Sequence, residues 1–555
     1  MSAIRNIDPI DRDVFQRQLV GIAEEMSMAL RRAAFSSIIW DMYDYSCGLF
    51  TLEGDMMAQA RTIPAQLGIM STALKHMYEA YPRESWRPGD VFVCNDPFRG
   101  CTHTMDIVLF SPVFVDGRMA AVTSTIAHHV DIGGKIPGTE AADNYDLFAE
   151  GLILPPLRLI EEGRPNGAIF DILAANVRDP AACQGDLRAQ IAGCRTGERR
   201  LAELFARHGR ERAADLTRAC LDYAETYMRR SIAALPEGRY EAEVLMEDDV
   251  TGDQPIRIRA AVTIAADRLV VDFAGSSPQQ ANGLNCPVAS TVSMTNYAVK
   301  CMLAPAIAQN EGCNRPVEIR IPAGSILDPA RPAAVSVRHL TQQSVADAVL
   351  KALAPAAPER AAAGCHISFP TLNIGGYDDR AQRRQGTVAP YYIVCDIVGG
   401  GMGGAPSGDG MDAVDTHGGN CALLSAEVME TLAPLRALRS ELVNGSGGRG
   451  RHRGGLGLRR DYQFLGGETI IASYVQQTRE DTRPWGLKGG GPGGPAGITL
   501  NPGTADERRW PSKTFGIRVK RGDVLRLQGA GGAGWGNPAE REPELIEADE
   551  AEGFA

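Results

Sequence analysis

The chain has 555 residues, with 57 basic and 68 acidic side chains and a net charge of -11. That balance argues against nucleic acid or an anionic membrane surface as the main partner. No apolar run approaches the ~18 residues of a membrane span, and the opening MSAIRNIDPIDRDVF lacks the apolar stretch of a secretory signal, so the expectation is a cytoplasmic protein of roughly three or four domains.

Asp8-Pro9 opens a helix in which Phe15, Leu19, Ile22, Met26, Ala29 and Ala33 recur at three and four. Residues 45–51 read as a strand with a turn at 52–55, and Asp41 and Asp44 just before it read as cap or turn residues. A second helix is expected over about 69–81. Residues 91–131 then form three short strands, with Asn95-Asp96-Pro97 as a turn, Ile107–Phe110 as an apolar run and 119–126 as an alternating one. Glu150–Pro156 is extended because of its double proline. Residues 168–233 are helical by pattern, interrupted at 176–180.

A boundary is expected at 235–238. Beyond it, YEAEVLMEDD, IRIRAAVTI and RLVVDFAG alternate as an antiparallel meander. Helices are expected at about 291–303 and 344–354, and a glycine loop at 399–404 follows the strand YYIVCDIV. From about 436 the chain reads as short strands between glycine clusters. Two of these contain G-x-G-x-x-G, at Gly445/Gly447/Gly450 and Gly529/Gly531/Gly534. Neither opens a helix, since Gly454-Gly455 and Gly536-Asn537-Pro538 follow, so both read as turns rather than dinucleotide sites. No G-x-x-x-x-G-K-[ST] occurs. The acidic tail reads as a peripheral helix or a disordered segment. The expected class is α+β: a mixed helical/β metal-binding region (1–235), a β-meander and helical domain (236–435) and a glycine-rich β domain (436–555).

Three of nine histidines fall between positions 103 and 129. His103, Asp106, His128, His129 and Asp131 stand at the ends of the central strands. Imidazole and carboxylate suit Zn²⁺, Mn²⁺ or Fe²⁺, and two histidines with one carboxylate leave coordination positions open. His129 should point to the opposite side of its strand from His128. The same residues also fit a structural role, because H-x-x-D recurs by chance and paired histidines often only satisfy backbone groups.

Several stretches, in order along nearly the whole chain, resemble a B subunit of the hydantoinase/oxoprolinase family. They are DYSCGLF, NDPFRGCTHTMD, AHHVDIGG, EGLILPP, NVRDPAACQGDLRAQ, VDFAGSSPQQANGLNCP, SGGRGRHRGGLG, GLKGGGPGG and GGAGWGNPAEREPEL. The resemblance implies a divalent metal on His103, Asp106 and His128, with Asp44 as a fourth ligand and Asp41 as the fallback. Many members carry P-x-H-L-G where this chain has Pro64-Ala65-Gln66-Leu67-Gly68, so Gln66 is given no metal role. The resemblance also implies a hetero-oligomer with an ATP-using A subunit that phosphorylates a cyclic amide, while this chain delivers metal-activated water. His129, Asp131 and Glu150 are the candidate proton-transfer residues. A ketone carboxylase subunit and a non-catalytic scaffold are the rival readings. The clusters at 399–404 and 445–457 are either partner-facing backbone or ordinary turns.

Overall fold

The structure is a computed structural model and describes residues 7–380 and 389–554. Helix α1 (Pro9–Ala33) is capped by Asp8, whose carboxylate accepts the Ile10 N–H at 2.7 Å. Its buried stripe of Phe15, Leu19, Ile22 and Met26 ends on Leu30 rather than on Ala29. A short helix, α2 (Ser37–Trp40), precedes β1 (Tyr45–Phe50) and β2 (Met56–Gln59). Then come α3 (Pro64–Leu67), α4 (Met70–Ala80), β3 (Val91–Cys94), β4 (Asp106–Val115), β5 (Arg118–His128), β6 (Leu157–Glu161) and β7 (Arg164–Pro165). The strands form one seven-stranded sheet in the order β2-β1-β5-β4-β3-β6-β7.

Successive side chains alternate across this sheet. Val108, Phe110, Val122 and Ile126 share a core with Met70, Leu74 and Met77 of α4. Ile107 and Leu109 pack on the other face with Leu173 of α5 (Gly167–Asn176) and Leu187 of α6 (Pro180–His208). The sheet is therefore covered on both sides, and only its ends can hold polar chemistry. Helix α7 (Arg210–Ala233) completes the helical half.

The expected change of texture falls between the end of α7 and β8 (Gly238–Met246). Strands β8, β9 (Ile256–Ala265) and β10 (Arg268–Asp272) pair antiparallel, as the meander pattern predicts. The fourth strand, β11 (Val317–Arg320), joins β10 in parallel instead, because helix α8 (Val288–Leu303) intervenes as a crossover. Helix α9 (Arg338–Leu353) begins six residues earlier than its apolar periodicity suggests. Its first turns are polar yet buried on every side, so they carry no amphipathic pattern.

A third sheet orders β13 (Tyr391–Ile397), β12 (Thr371–Tyr377), β16 (Thr469–Tyr474) and β19 (Lys513–Val519). It joins strands from both sides of the boundary expected at 435/436. A fourth sheet contains β14 (Leu435–Leu442), β15 (Leu458–Phe464), β20 (Val524–Gln528), β17 (Gly497–Leu500) and β18 (Arg508–Trp510). One hydrophobic core contains Phe15 and Leu19 of α1, Leu49 of β1, Leu372 of β12 and Tyr462 of β15. The first and last thirds of the chain are thus packed as one body. The acidic tail forms an exposed helix over Pro543–Glu552.

The glycine clusters are neither loose turns nor an open surface. They run beside one another as interleaved extended segments. The Gly401 N–H donates to Ala530 O, Gly448 to Gly532 O, Gly532 to Gly455 O and Gly534 to Gly491 O, each at 2.8–2.9 Å. A Cβ added at Gly532 would lie 1.8 Å from Met402 O, and one at Gly401 would lie 1.9 Å from Gly455 O. Only residues without a side chain permit this approach.

Candidate metal centre

Register brings the site together. Asp106 at the start of β4 lies opposite His128 at the end of β5. Tyr45 lies opposite Ala127 on the other side of β5, and the Asp44 carbonyl accepts the His128 N–H at 3.1 Å. Cross-strand neighbours share a face. Asp44, His128 and Asp106 therefore sit side by side on the α4 face, at one end of three adjacent strands. His103, three residues before β4, closes over them, its ring centroid 5.0 Å from that of His128. The sequence missed the third carboxylate. Glu140 returns over the strand ends on a loop turned by Gly138 (φ +74°) and Thr139 (φ +62°).

His103, His128 and Glu140 are all buried, and one nitrogen or carboxylate oxygen from each lies within 4.8 Å of the others. Glu140 Oε1 is 3.4 Å from His103 Nδ1 and 3.5 Å from His128 Nε2. Its other oxygen accepts the Tyr474 hydroxyl at 2.5 Å and the Asn373 amide at 3.0 Å, so the third sheet clamps it from above. Gln66 Nε2 donates to Asp44 Oδ1 at 2.7 Å and Asp106 Oδ1 at 3.0 Å, holding two carboxylates together. Asp106 Oδ2 accepts from Arg338 Nη2 at 3.1 Å and from the Thr102 hydroxyl.

The charge states follow from these neighbours. Burial would raise Asp106 and Glu140. His103 and Arg338 overcome it at Asp106, and His128, His339 and His103 overcome it at Glu140, so both stay well below the usual carboxylate range. Burial lifts Asp44 to about 6. Burial opposes charge on His128, but Asp44 and Glu140 outweigh it and raise the imidazole to about 9. Burial, with the Arg338 guanidinium, lowers His103.

Whether these residues fit a divalent ion is decided by the ring nitrogens. His103 Nδ1 faces two acceptors, Ser336 O at 3.2 Å and Glu140, so it carries the proton. Nε2 has no hydrogen bond of good geometry and faces Asp106 Oδ2 at 3.3 Å. A second proton there pairs the ring with Asp106, and a cation between the two atoms can take that proton's place. Atoms held ~2.1 Å from one ion lie about 3.0–3.4 Å apart in octahedral or tetrahedral sites. On His128, Nε2 faces Glu140 and Nδ1 has no partner. Both rings thus have one nitrogen engaged by an acceptor and one without a partner, the arrangement usual for metal-ligating histidines, with His128 giving up its second proton to an incoming ion. The donor set fits a divalent cation.

The three residues expected to move a proton do not line this cavity. His129 alternates to the opposite face, where its Nε2 meets Gln190 Oε1 of α6 at 3.0 Å. Asp131 accepts the N–H groups of Gly133, Gly138 and Arg178 and the Arg178 guanidinium, so it pins the base of the Glu140 loop. Glu150 accepts the Val335 and Ser336 N–H groups at 2.7 Å, and burial raises it to about 8. Asp41, the fallback ligand, accepts the Ser425 N–H at 2.9 Å. The cavity, about 50 Å³, is lined instead by Asp44, Gln66, His103, Asp106, His128 and Glu140 on one side. Arg338, His339, Gln342, Gln343 and Asp415 line the other. Burial lifts Asp415 to about 7 and drives His339 well below the usual imidazole range.

Fold and site together define an α+β protein with a buried candidate metal cavity at the ends of sheet strands. The profile of the family described as Hydantoinase B/oxoprolinase matches residues 8–538, and the chain belongs to that family. It is 31% identical to the B subunit of a "Putative D-/L-hydantoinase" from Pseudomonas sp. (strain NS671), over 99% of this chain and 94% of that protein. It is 29% identical to the beta subunit of the caprolactamase of Pseudomonas jessenii, again over 99% and 94%. It also matches the 5-oxoprolinase PfmaA of Pestalotiopsis fici at 31% identity, spanning 98% of this chain but 42% of that longer protein. Among solved structures, the ATP-dependent caprolactamase of P. jessenii superposes with a TM-score of 0.90 at 28% identity, covering 99% of this chain and 95% of that one. A nucleotide-free acetone carboxylase superposes with a TM-score of 0.90 at 20% identity, over 100% and 79%, which shows the shared fold. Among the described residues no helix is long and apolar enough to cross a membrane.

Proposed function

We propose that this chain is the metal-holding component of an ATP-dependent hydrolase of cyclic amides. The observation that carries this reading is the pair of buried imidazole nitrogens without a partner, His103 Nε2 and His128 Nδ1, in a cavity that Asp44, Asp106 and Glu140 also line. His103, His128, Asp106 and Asp44 would hold the ion. Glu140 would act from behind, fixing both imidazoles through their other nitrogens. A divalent cation bound there lowers the pKa of water and polarises an amide oxygen.

The chain's own residues supply the rest. The buried walls keep bulk water from a reactive amide. His103 and Arg338 together keep Asp106 ionised. Asp415 faces the cavity with Oδ1 unpartnered, and a carboxyl near 7 is suited to take and return a proton. Two relatives named as subunits, and a solved relative titled ATP-dependent, support a partner that spends the ATP. The absence of a P-loop from the sequence is in keeping with that division of labour.

The test is to purify the chain with an ATPase-type subunit and assay cyclic amides and ketones with ATP, with and without bicarbonate. Ring opening that needs ATP, both subunits and a stoichiometric divalent metal is the expected result. Bicarbonate-dependent consumption of a ketone, with no amide opened, would establish the carboxylase reading instead. A fully active complex free of metal would overturn the proposal.

A further inference from the structure

Two carboxylates of the site share one neutral donor. Gln66 Nε2 donates to Asp44 Oδ1 at 2.7 Å and to Asp106 Oδ1 at 3.0 Å, so both N–H bonds of a single amide are spent on different carboxylates. The amide is held one way round. Its Oε1 accepts the Ser46 hydroxyl at 3.0 Å, and a flipped amide would set that oxygen against two carboxylates. The backbone beneath it is fixed as well. In α3 the Ala65 N–H donates to Gly418 O at 3.0 Å, and the Ser293 hydroxyl of α8 lies 3.2 Å from Pro64 O and 3.1 Å from Ala65 O. Gln66 itself is 3% exposed and lines the cavity.

This clamp takes one oxygen of each carboxylate and leaves the other. Asp106 Oδ2, the oxygen left over, is the atom that faces His103 Nε2 at 3.3 Å. Asp44 Oδ2 is likewise outside the clamp. We propose that Gln66 is a positioning residue that restricts Asp44 and Asp106 to one oxygen each on the ion, and that it thereby sets which divalent ion the site prefers. A carboxylate with both oxygens free can take a cation with the pair of them. Holding each to one oxygen keeps the ligand count low, which leaves room on the ion for water or an amide oxygen. A small set of imidazole and carboxylate atoms suits zinc, whereas a larger shell richer in oxygen suits manganese. A neutral amide achieves this without setting a second positive charge beside the ion, as lysine or arginine would. The proposal rests on the metal-holding reading of the site and sharpens it.

Every residue of the clamp belongs to this chain, so the experiment needs neither partner nor ATP. The full chain competes against a chelator for zinc and, separately, for manganese, as the parent, as Gln66→Met and as Ser46→Ala, with circular dichroism to certify the fold. Gln66→Met keeps the length of the side chain and removes both N–H bonds. Zinc should weaken about 10–100-fold, as for other partners that orient ligands, while manganese holds within about twofold because it gains the freed oxygens. The ratio of the two affinities should therefore fall at least about fivefold. Ser46→Ala frees the amide without removing it and should move the ratio in the same direction by a smaller factor. General loosening of the cavity weakens both metals alike and leaves the ratio where it was. A folded Gln66→Met chain with the parent's ratio would overturn the assignment. Where that variant fails to fold, the ratio in Ser46→Ala decides, and an unchanged value there overturns it too. The two proposals fail separately. A parent that binds zinc, with the ratio unmoved in the variants, removes only this one, whereas a parent that binds neither metal removes the functional reading on which it rests.

Discussion

Glu140→Gln tests which of the three carboxylates touch the ion. In the arrangement proposed here Glu140 stands behind His103 and His128, 3.4 and 3.5 Å from the nitrogens that face away from the ion. Losing a carboxylate of that kind typically weakens metal affinity about 10–100-fold, or ~1.4–2.8 kcal/mol. Glu140 serves both imidazoles at once, so the upper end of that range is expected. Tyr474→Phe removes only one of the two hydrogen bonds that aim Glu140 and should cost less than about tenfold. His128→Ala removes a direct ligand and should go well beyond the range. The assay is competition for zinc against a fluorescent chelator at fixed pH, with circular dichroism to certify the fold. A Glu140→Gln chain that loses zinc as completely as His128→Ala would show that Glu140 is itself a ligand. One that binds zinc unchanged would show that it does not support the imidazoles at all.

Three further outcomes follow from the same geometry. His128→Ala should abolish ring opening while leaving any complex with the ATPase partner intact, as read by native mass spectrometry; a dissolved complex with metal still bound would give the residue a different role. Burial raises Glu150 to about 8, against 4.5 for an ordinary glutamate, so its contribution to stability is full below about 4.5 and is lost as pH rises through 8. Glu150→Gln keeps the acceptor for both backbone N–H groups, so its melting temperature should match the parent at pH 5 and exceed it at pH 9. If it also lost all turnover with metal bound, Glu150 would be chemical after all. Gly532→Ala forces a methyl against Met402 O and should cost more than about 3 kcal/mol, whereas Gly497→Ala, with open space around it, should shift stability by less than about 0.5 kcal/mol.

Half of the site was legible in the sequence because it obeys local rules. His103, Asp106 and His128 fall at the ends of a hairpin whose alternation is regular, and alternation alone sends His129 to the far face. Glu140 was not legible. It lies in GTEAADN, which reads as a surface turn, and it is buried only because Asn373 and Tyr474 arrive from strands more than 200 residues later. The start of α9 escaped for a different reason. Its first turns are buried polar residues with no amphipathic period, so the predicted helix begins only at about 344. The same long-range packing hides the middle boundary, since β12 and β13 pair with strands from the last third of the chain.

The interleaved glycine segments bear on how the chain is born. The stretch from Gly529 to Gly536 bonds to segments around Gly401, Gly448, Gly455 and Gly491, so the bundle is complete only once it is present. During synthesis at about 5–20 residues per second, more than a hundred residues separate the first of these strands from the last. Through that interval the early segments have no side chains with which to form a provisional core. A ribosome stalled short of residue 529 would hold a chain whose site strands are complete and whose last third cannot settle, an exposed state of the kind that chaperones recognise.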